Sequence, residues 1–121
     1  MKSILYVEDD AINALVMQKL LKGIYDIRHV VDGEACLTLL EVEKFDLILM
    51  DINLGKGKMN GIETMHKIKE NPVTKNIDVI TVTSYALPED EERFLREGFD
   101  GYMAKPVDRK LLLQTLAGFL D

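Results

Sequence analysis

The sequence predicts an α/β domain in which five parallel strands form a doubly wound sheet with five helices on its two faces. Three observations predict it. Short apolar segments alternate with longer amphipathic ones along the whole chain. Two of the short segments, ILYV (4–7) and LILM (47–50), show no polar alternation, as strands covered on both faces do. The length of 121 residues suits one domain with its own core. Parallel strands need right-handed crossovers, which puts helices on both sides of the sheet. The flavodoxin-like strand order 2-1-3-4-5 is the leading candidate, adopted from doubly wound folds in general and not deduced from these residues. A single domain over residues 1–121 is expected.

Each element has its own signal. SILYV (3–7) is strand 1. Helix 1 is expected over about 10–22, where Ile12, Val16 and Leu20 recur every four residues and Gly23 provides a stop. DIRHVV (26–31) is strand 2. Helix 2 is expected over about 33–44, with Asp32 as cap and Cys36, Leu37 and Leu40 on one side. DLILM (46–50) is strand 3. Helix 3 is expected over 61–70, with Ile62, Met65 and Ile68 as its stripe and Asn71-Pro72 as its end. DVITVT (78–83) has the β-branched character of a strand, the fourth. Pro88 opens helix 4, whose acidic first turn, Glu89–Glu92, reads as a solvated helix start. That helix runs to about Glu97 and stops at Gly98. GYMAK (101–105) is strand 5. Asp108 caps helix 5, in which Leu112, Leu116 and Phe119 are spaced for burial.

Composition narrows the function classes. A net charge of −6 argues against direct nucleic-acid binding, which needs a basic face. The single cysteine, Cys36, permits no internal disulfide and reads as a small core residue. The N-terminal apolar run is cut short by Glu8, Asp9 and Asp10, unlike a signal peptide, and no run is long enough to cross a membrane. A cytoplasmic setting is expected. His29 and His66 lack metal-ligand spacing and read as structural or surface residues.

In an open parallel sheet, functional groups collect at the carboxyl ends of the strands. Strand 1 is followed by Glu8, Asp9 and Asp10, strand 3 by Asp51; strand 4 ends in Thr83 and Ser84, strand 5 in Lys105 and Pro106. Carboxylates crowded on one rim raise each other's pKa, and a hard cation relieves the repulsion. Mg²⁺ prefers oxygen ligands, accepts one or two carboxylates and leaves positions for phosphate oxygens. One carboxylate can then stay ionised as a nucleophile, while an amine and a hydroxyl hold the oxygens of an incoming phosphoryl group. The rim reads as an aspartate that accepts phosphate with help from Mg²⁺.

These segments, ILYVEDD, DLILMD, ITVTS and GYMAKPV, occur in one order over nearly the whole chain, and in this the sequence resembles the receiver domain of two-component response regulators. The resemblance implies that Asp51 is the phosphoacceptor. It implies that Glu8 and Asp9 are the acidic pair that binds Mg²⁺, with Glu-Asp standing for the more frequent Asp-Asp. Asn53 matches the position that gives a backbone carbonyl to the metal. Thr83 matches the switch hydroxyl, Lys105 the lysine that pairs with the phosphoryl group, and Pro106 the proline that is usually cis. Tyr102 matches the aromatic that follows the switch hydroxyl inward, and Ser84 the small residue beside the acceptor. The implied partner is a histidine kinase or a histidine phosphotransfer protein. The implied readout face is helix 4, strand 5 and helix 5, about residues 86–121. Such a domain is not an enzyme on other substrates; it catalyses its own phosphoryl transfer and slow aspartyl-phosphate hydrolysis. No output domain fits within 121 residues, so the chain is either a stand-alone receiver or one excised from a larger protein.

Rival readings make different demands. A flavin-binding electron carrier needs a hydroxyl- and glycine-rich loop after strand 1, where this chain has three acids. An aspartyl phosphatase with an Asp-x-Asp pattern after its first strand needs a general acid where Asn53 stands. A receiver that serves only as an interaction module would lack some of the residues named above.

One stretch departs from the family. Receivers commonly place proline four residues after the acceptor and glycine eight after; here Gly55 and Met59 occupy those positions, and Gly61 is the matching glycine. A two-residue insertion within 52–60 accounts for this. Gly55 and Gly57 read as turn residues rather than a phosphate cradle, and Lys56 and Lys58 as solvated charges. A bulky Tyr85 is expected to limit the access of water to the acceptor.

Overall fold

The computed structural model describes all of Met1–Asp121. Its strands are β1 (Ser3–Val7), β2 (Asp26–Val30), β3 (Leu47–Met50), β4 (Asp78–Thr83) and β5 (Gly101–Ala104). All neighbours are parallel, in the order β2-β1-β3-β4-β5, the order expected. Between and after them lie α1 (Ala11–Leu21), α2 (Gly33–Leu40), α3 (Gly61–Glu70), α4 (Pro88–Glu97) and α5 (Arg109–Leu120).

Alternation along each central strand feeds two cores. Leu5 and Val7 of β1 join Ile48, Met50, Met65, Ile68 and Phe94 on one face. Ile4 and Tyr6 join Leu47, Leu49, Met17, Leu21, Leu112 and Leu116 on the other. Burial on both faces is the reason ILYV and LILM carry no exposed polar position. Register pairs Val7 with Met50 and Thr83 with Ala104, so the residues that follow these strands share one rim.

Helix starts follow the capping rules. Asp10 accepts from the N–H groups of Ile12 and Asn13, Asp32 from Ala35 and Asp108 from Leu111. Asn60 and Glu63 form a reciprocal capping box at α3.

Three sequence expectations are corrected. The Ile12/Val16 stripe of α1 faces outward: Ile12 is 74 % exposed and Val16 50 %, while Ala14, Met17 and Leu21 are buried. Apolar residues lie all round this helix, so a four-residue spacing does not by itself select the buried face. Second, α2 ends at Leu40 and not near Lys44. Continuing it would carry Phe45 away from the core that buries it; instead Glu43 closes a turn on Leu39 and pairs with Arg28. Third, the acidic turn of α4 is not wholly solvated. Asp90 is buried, accepts from the N–H of Leu87 and pairs with Arg93.

The glycine-rich loop is a turn anchored at both ends. Ile52 and Leu54 are buried in the core. Gly57 has φ +76° inside a turn closed by Lys58 N–H on the Gly55 carbonyl, a backbone that favours glycine. The loop returns at Gly61, whose N–H donates to the Ile52 carbonyl at 2.8 Å. A Cβ on Gly61 would lie 2.0 Å from the Asp51 carbonyl oxygen, so only glycine fits at this approach. Gly61→Ala is expected to cost about 1–3 kcal/mol, the range for forced overpacking. It should also displace the Asp51 backbone. Urea unfolding together with amide chemical shifts of residues 50–53 checks both.

Candidate functional site

Each acid on the rim is held differently. Glu8 follows β1 and is 1 % exposed. Its N–H donates to the Val30 carbonyl at 3.0 Å, and its own carbonyl accepts from His29 Nε2 at 2.6 Å. Its Oε1 accepts from Lys105 Nζ at 2.6 Å and from the Tyr6 hydroxyl at 2.8 Å, and its Oε2 from the Asp10 N–H at 3.3 Å. Asp51 follows β3 and is 6 % exposed; its Oδ1 accepts from the Ile52 N–H at 2.7 Å and its Oδ2 from Lys105 Nζ at 3.1 Å. Asp9 is exposed.

Carboxylate oxygens of Glu8, Asp9 and Asp51 lie within 4.8 Å of one another. They open on a cleft of about 570 Å³ that is also lined by Asp10, Asn13, Asn53, Gly55, Lys56, Ser84 and Lys105, with no hydrophobic side chain. An all-oxygen cluster of three acids fits a hard divalent cation such as Mg²⁺. It is a poor seat for a flavin phosphate, which three carboxylates would repel.

The electrostatics follow from burial and crowding. Burial, reinforced by the hydrogen bond and negative charge of Glu8, pushes the Asp51 carboxyl up to about 6. Burial also raises Glu8, but its hydrogen bonds with Asp51, Lys105 and Tyr6 outweigh that and leave it below the usual carboxylate range. Asp9 is raised by burial and by Glu8. Burial works against the charge on Lys105, yet the two carboxylates prevail and its pKa is raised. Without a divalent cation, Lys105 is the counter-charge of the pair.

Of the sequence-predicted residues, Glu8, Asp9, Asp51, Asn53, Ser84 and Lys105 converge on the cleft. The Lys105–Pro106 peptide is cis. Thr83 ends β4 with its side chain buried, and its hydroxyl accepts from the Tyr85 N–H at 3.2 Å. Tyr102, half-buried, stacks on Phe94 and donates its hydroxyl to the Tyr85 carbonyl at 2.7 Å. The Tyr85 side chain is not part of the cleft lining, contrary to its expected role as a screen. Its ring packs toward Phe94 and lies under the Arg93 guanidinium. Lys58 pairs with Asp32 at 3.4 Å, whereas Lys56 borders the cleft, so only one inserted-loop lysine lies near the acids. The structural readings of the histidines and Cys36 hold: His29 caps the Glu8 carbonyl, His66 bonds Glu97, and Cys36 is buried. Tyr6 and His29 are contacts of Glu8 that motif reading passed over. The signal for Tyr6 was present, since residues two apart on a strand share a face.

A family model described as the response regulator receiver domain matches residues 4–117. The chain belongs to this family. It is 32 % identical over 120 residues to the polar-differentiation response regulator DivK of Brucella anthropi, covering 98 % of this chain and 96 % of that one. Among solved structures, the receiver domain of a sensor histidine kinase from Pseudomonas aeruginosa is 30 % identical with a TM-score of 0.86, covering 98 % of this chain and 96 % of that one. That structure holds a magnesium ion in its active-site cleft. The receiver domain of a signal transduction histidine kinase from Syntrophus aciditrophicus is 28 % identical, with a TM-score of 0.87 and coverage of 99 % and 90 %. The protein is a phosphorelay signalling domain of the two-component type. None of its helices is long and apolar enough to cross a membrane.

Proposed function

We propose that Asp51 accepts a phosphoryl group from a phosphohistidine of a kinase or phosphotransfer partner, with Mg²⁺ as cofactor. The observation that carries this reading is the grouping of Asp51 with Glu8, Asp9 and Lys105 in the lining of an open polar cleft. An ionised Asp51 oxygen attacks phosphorus; the new O–P bond forms as the P–N bond breaks, and the partner's imidazole leaves, taking a proton from solvent. Glu8, Asp9, Asp51 and the Asn53 carbonyl would hold the metal, whose charge would offset that of the carboxylates and the phosphoryl oxygens. Lys105, already 3.1 Å from Asp51 Oδ2, transfers its hydrogen bond to a phosphoryl oxygen. Lys105 also lines a second groove of about 220 Å³ with Asn13, Val16 and Pro106. Val16 lines that groove, and with its exposed neighbours on α1, Ile12 and Leu15, it provides a docking surface for the donor.

The readout runs through one residue's backbone. Tyr85 donates its N–H to Thr83 and accepts from Tyr102. Drawing the Thr83 hydroxyl toward a phosphoryl oxygen breaks the first bond, shifts the Tyr85 peptide and releases Tyr102. The switch therefore biases the surface of α4, β5 and α5. Beyond its own phosphoryl transfer and dephosphorylation, the domain turns over no substrate in this reading.

A small-molecule phosphodonor plus Mg²⁺, followed by intact mass, tests the assignment. One phosphoryl group is expected, with none in excess chelator. No incorporation under conditions that label other receivers would leave only an interaction module.

A further inference from the structure

We infer that Tyr6 is a positioning residue for the metal site, a buried phenol that fixes the Glu8 carboxylate for divalent-cation binding. The inference rests on the reading of Glu8 as a metal ligand. Glu8 directly follows β1, two residues after Tyr6, whose ring lies on the face packed by α1 and α5. The phenol is 1 % exposed, and its hydroxyl has one partner, Glu8 Oε1 at 2.8 Å. An ionised carboxylate only accepts hydrogen bonds, so the phenol O–H is the donor in this contact.

The arrangement solves a problem created by Lys105. Tyr6 and Lys105 share the same oxygen of Glu8. When Lys105 turns to a phosphoryl group, Glu8 Oε1 loses its ammonium partner. The phenol remains, so the carboxylate keeps its rotamer and its inner oxygen stays satisfied. A residue of phenylalanine type would fill the same core space without doing this. Glu8 supplies the matching length. Its extra methylene relative to aspartate sets Oε1 within reach of the Tyr6 hydroxyl while Oε2 accepts from the Asp10 N–H. Outer partners of metal-ligating carboxylates typically change metal affinity by 10–100-fold when removed.

The test is Mg²⁺ affinity by calorimetry on the unphosphorylated chain, with urea unfolding in chelator as the control. Tyr6→Phe is expected to weaken Mg²⁺ binding by roughly tenfold while the unfolding midpoint in chelator moves little. Placed in a Glu8→Asp background, the same substitution should leave affinity unchanged, because the shorter acid does not reach the phenol. A change of less than threefold in the Glu8 background, or an equal loss in both backgrounds, overturns the inference. Should Tyr6→Phe not fold, the Tyr6 Cζ chemical shift of the wild-type chain decides: a hydrogen-bonded value kept at saturating Mg²⁺ supports the inference, and loss of it refutes it. If wild type and Glu8→Gln bind Mg²⁺ equally, the metal-ligand reading itself fails, a result separable from a silent Tyr6→Phe.

Discussion

Asp51→Asn abolishes phosphorylation by donor protein and by small phosphodonor alike, and the variant is more stable than the wild type at about pH 7.5 in chelator. The first effect follows from removing the nucleophilic oxygen; intact mass and phosphotransfer gels read it. The second follows from the site's electrostatics. Asp51 has a carboxyl pKa of about 6 in the folded chain, against roughly 3.9 when unfolded. A group raised in this way contributes stability that is fully present below the unfolded pKa and lost as pH rises through the folded one. Ionised Asp51 therefore costs about 2–3 kcal/mol at neutral pH. That cost is already net of the Lys105 contact at 3.1 Å; asparagine removes it but replaces one hydrogen-bond-accepting carboxylate oxygen with an amide that donates. The net gain should be about 1–2 kcal/mol, or roughly 3–10 °C in Tm for a domain of this size. It should fade as pH falls through about 6 toward 4. Glu8 is shifted the other way, and the stability it contributes is lost as pH falls. The variant should thus retain acid sensitivity from Glu8 while losing the opposing slope from Asp51. A flat difference between the two unfolding profiles across this range would contradict the assignment of the raised carboxyl to Asp51.

Much of this was legible in the residues, for reasons that differ by element. Strands β1 and β3 were plain because both faces are buried, so ILYV and LILM show no polar alternation to blur them. The rim was legible because each functional residue directly follows a strand, so strand order alone brings Glu8, Asp51 and Lys105 together. The phase of α1 was not: an all-round apolar helix has two candidate faces, and the choice is made by Asp10 capping and by Met17 and Leu21 meeting β1. The side-chain direction of Tyr85 was not legible either, since it depends on Phe94 and Arg93 of a later helix. Gly61 was identified from the family spacing, but the reason for it, a carbonyl 2.0 Å from any added Cβ, is a tertiary fact.

Lys105→Met probes the same site from its positive side. Methionine keeps much of the length and apolar stem of lysine and removes only the ammonium and its hydrogen bonds. Lys105 bridges Glu8 at 2.6 Å and Asp51 at 3.1 Å, with its side chain 16 % exposed. Removing one partner of a buried ion pair typically costs about 3–5 kcal/mol. Here the cleft is open to water and one carboxyl can take up a proton, so about 2–4 kcal/mol is expected at about pH 8 in chelator. The loss should shrink as pH falls, because protonating the pair replaces the missing charge. Saturating Mg²⁺ should do the same at constant pH, so the variant gains more stability from Mg²⁺ than the wild type does. Phosphorylation has the opposite dependence. The metal can replace Lys105 as counter-charge to the acids, yet the donor to the phosphoryl oxygen stays missing, so the phosphorylated variant should fail to shift Thr83 and Tyr102. Urea unfolding with and without Mg²⁺, and the Tyr102 ring resonances before and after phosphorylation, separate the two roles. Equal Mg²⁺ stabilisation of the variant and the wild type would mean that Lys105 and the cation do not compensate the same charges.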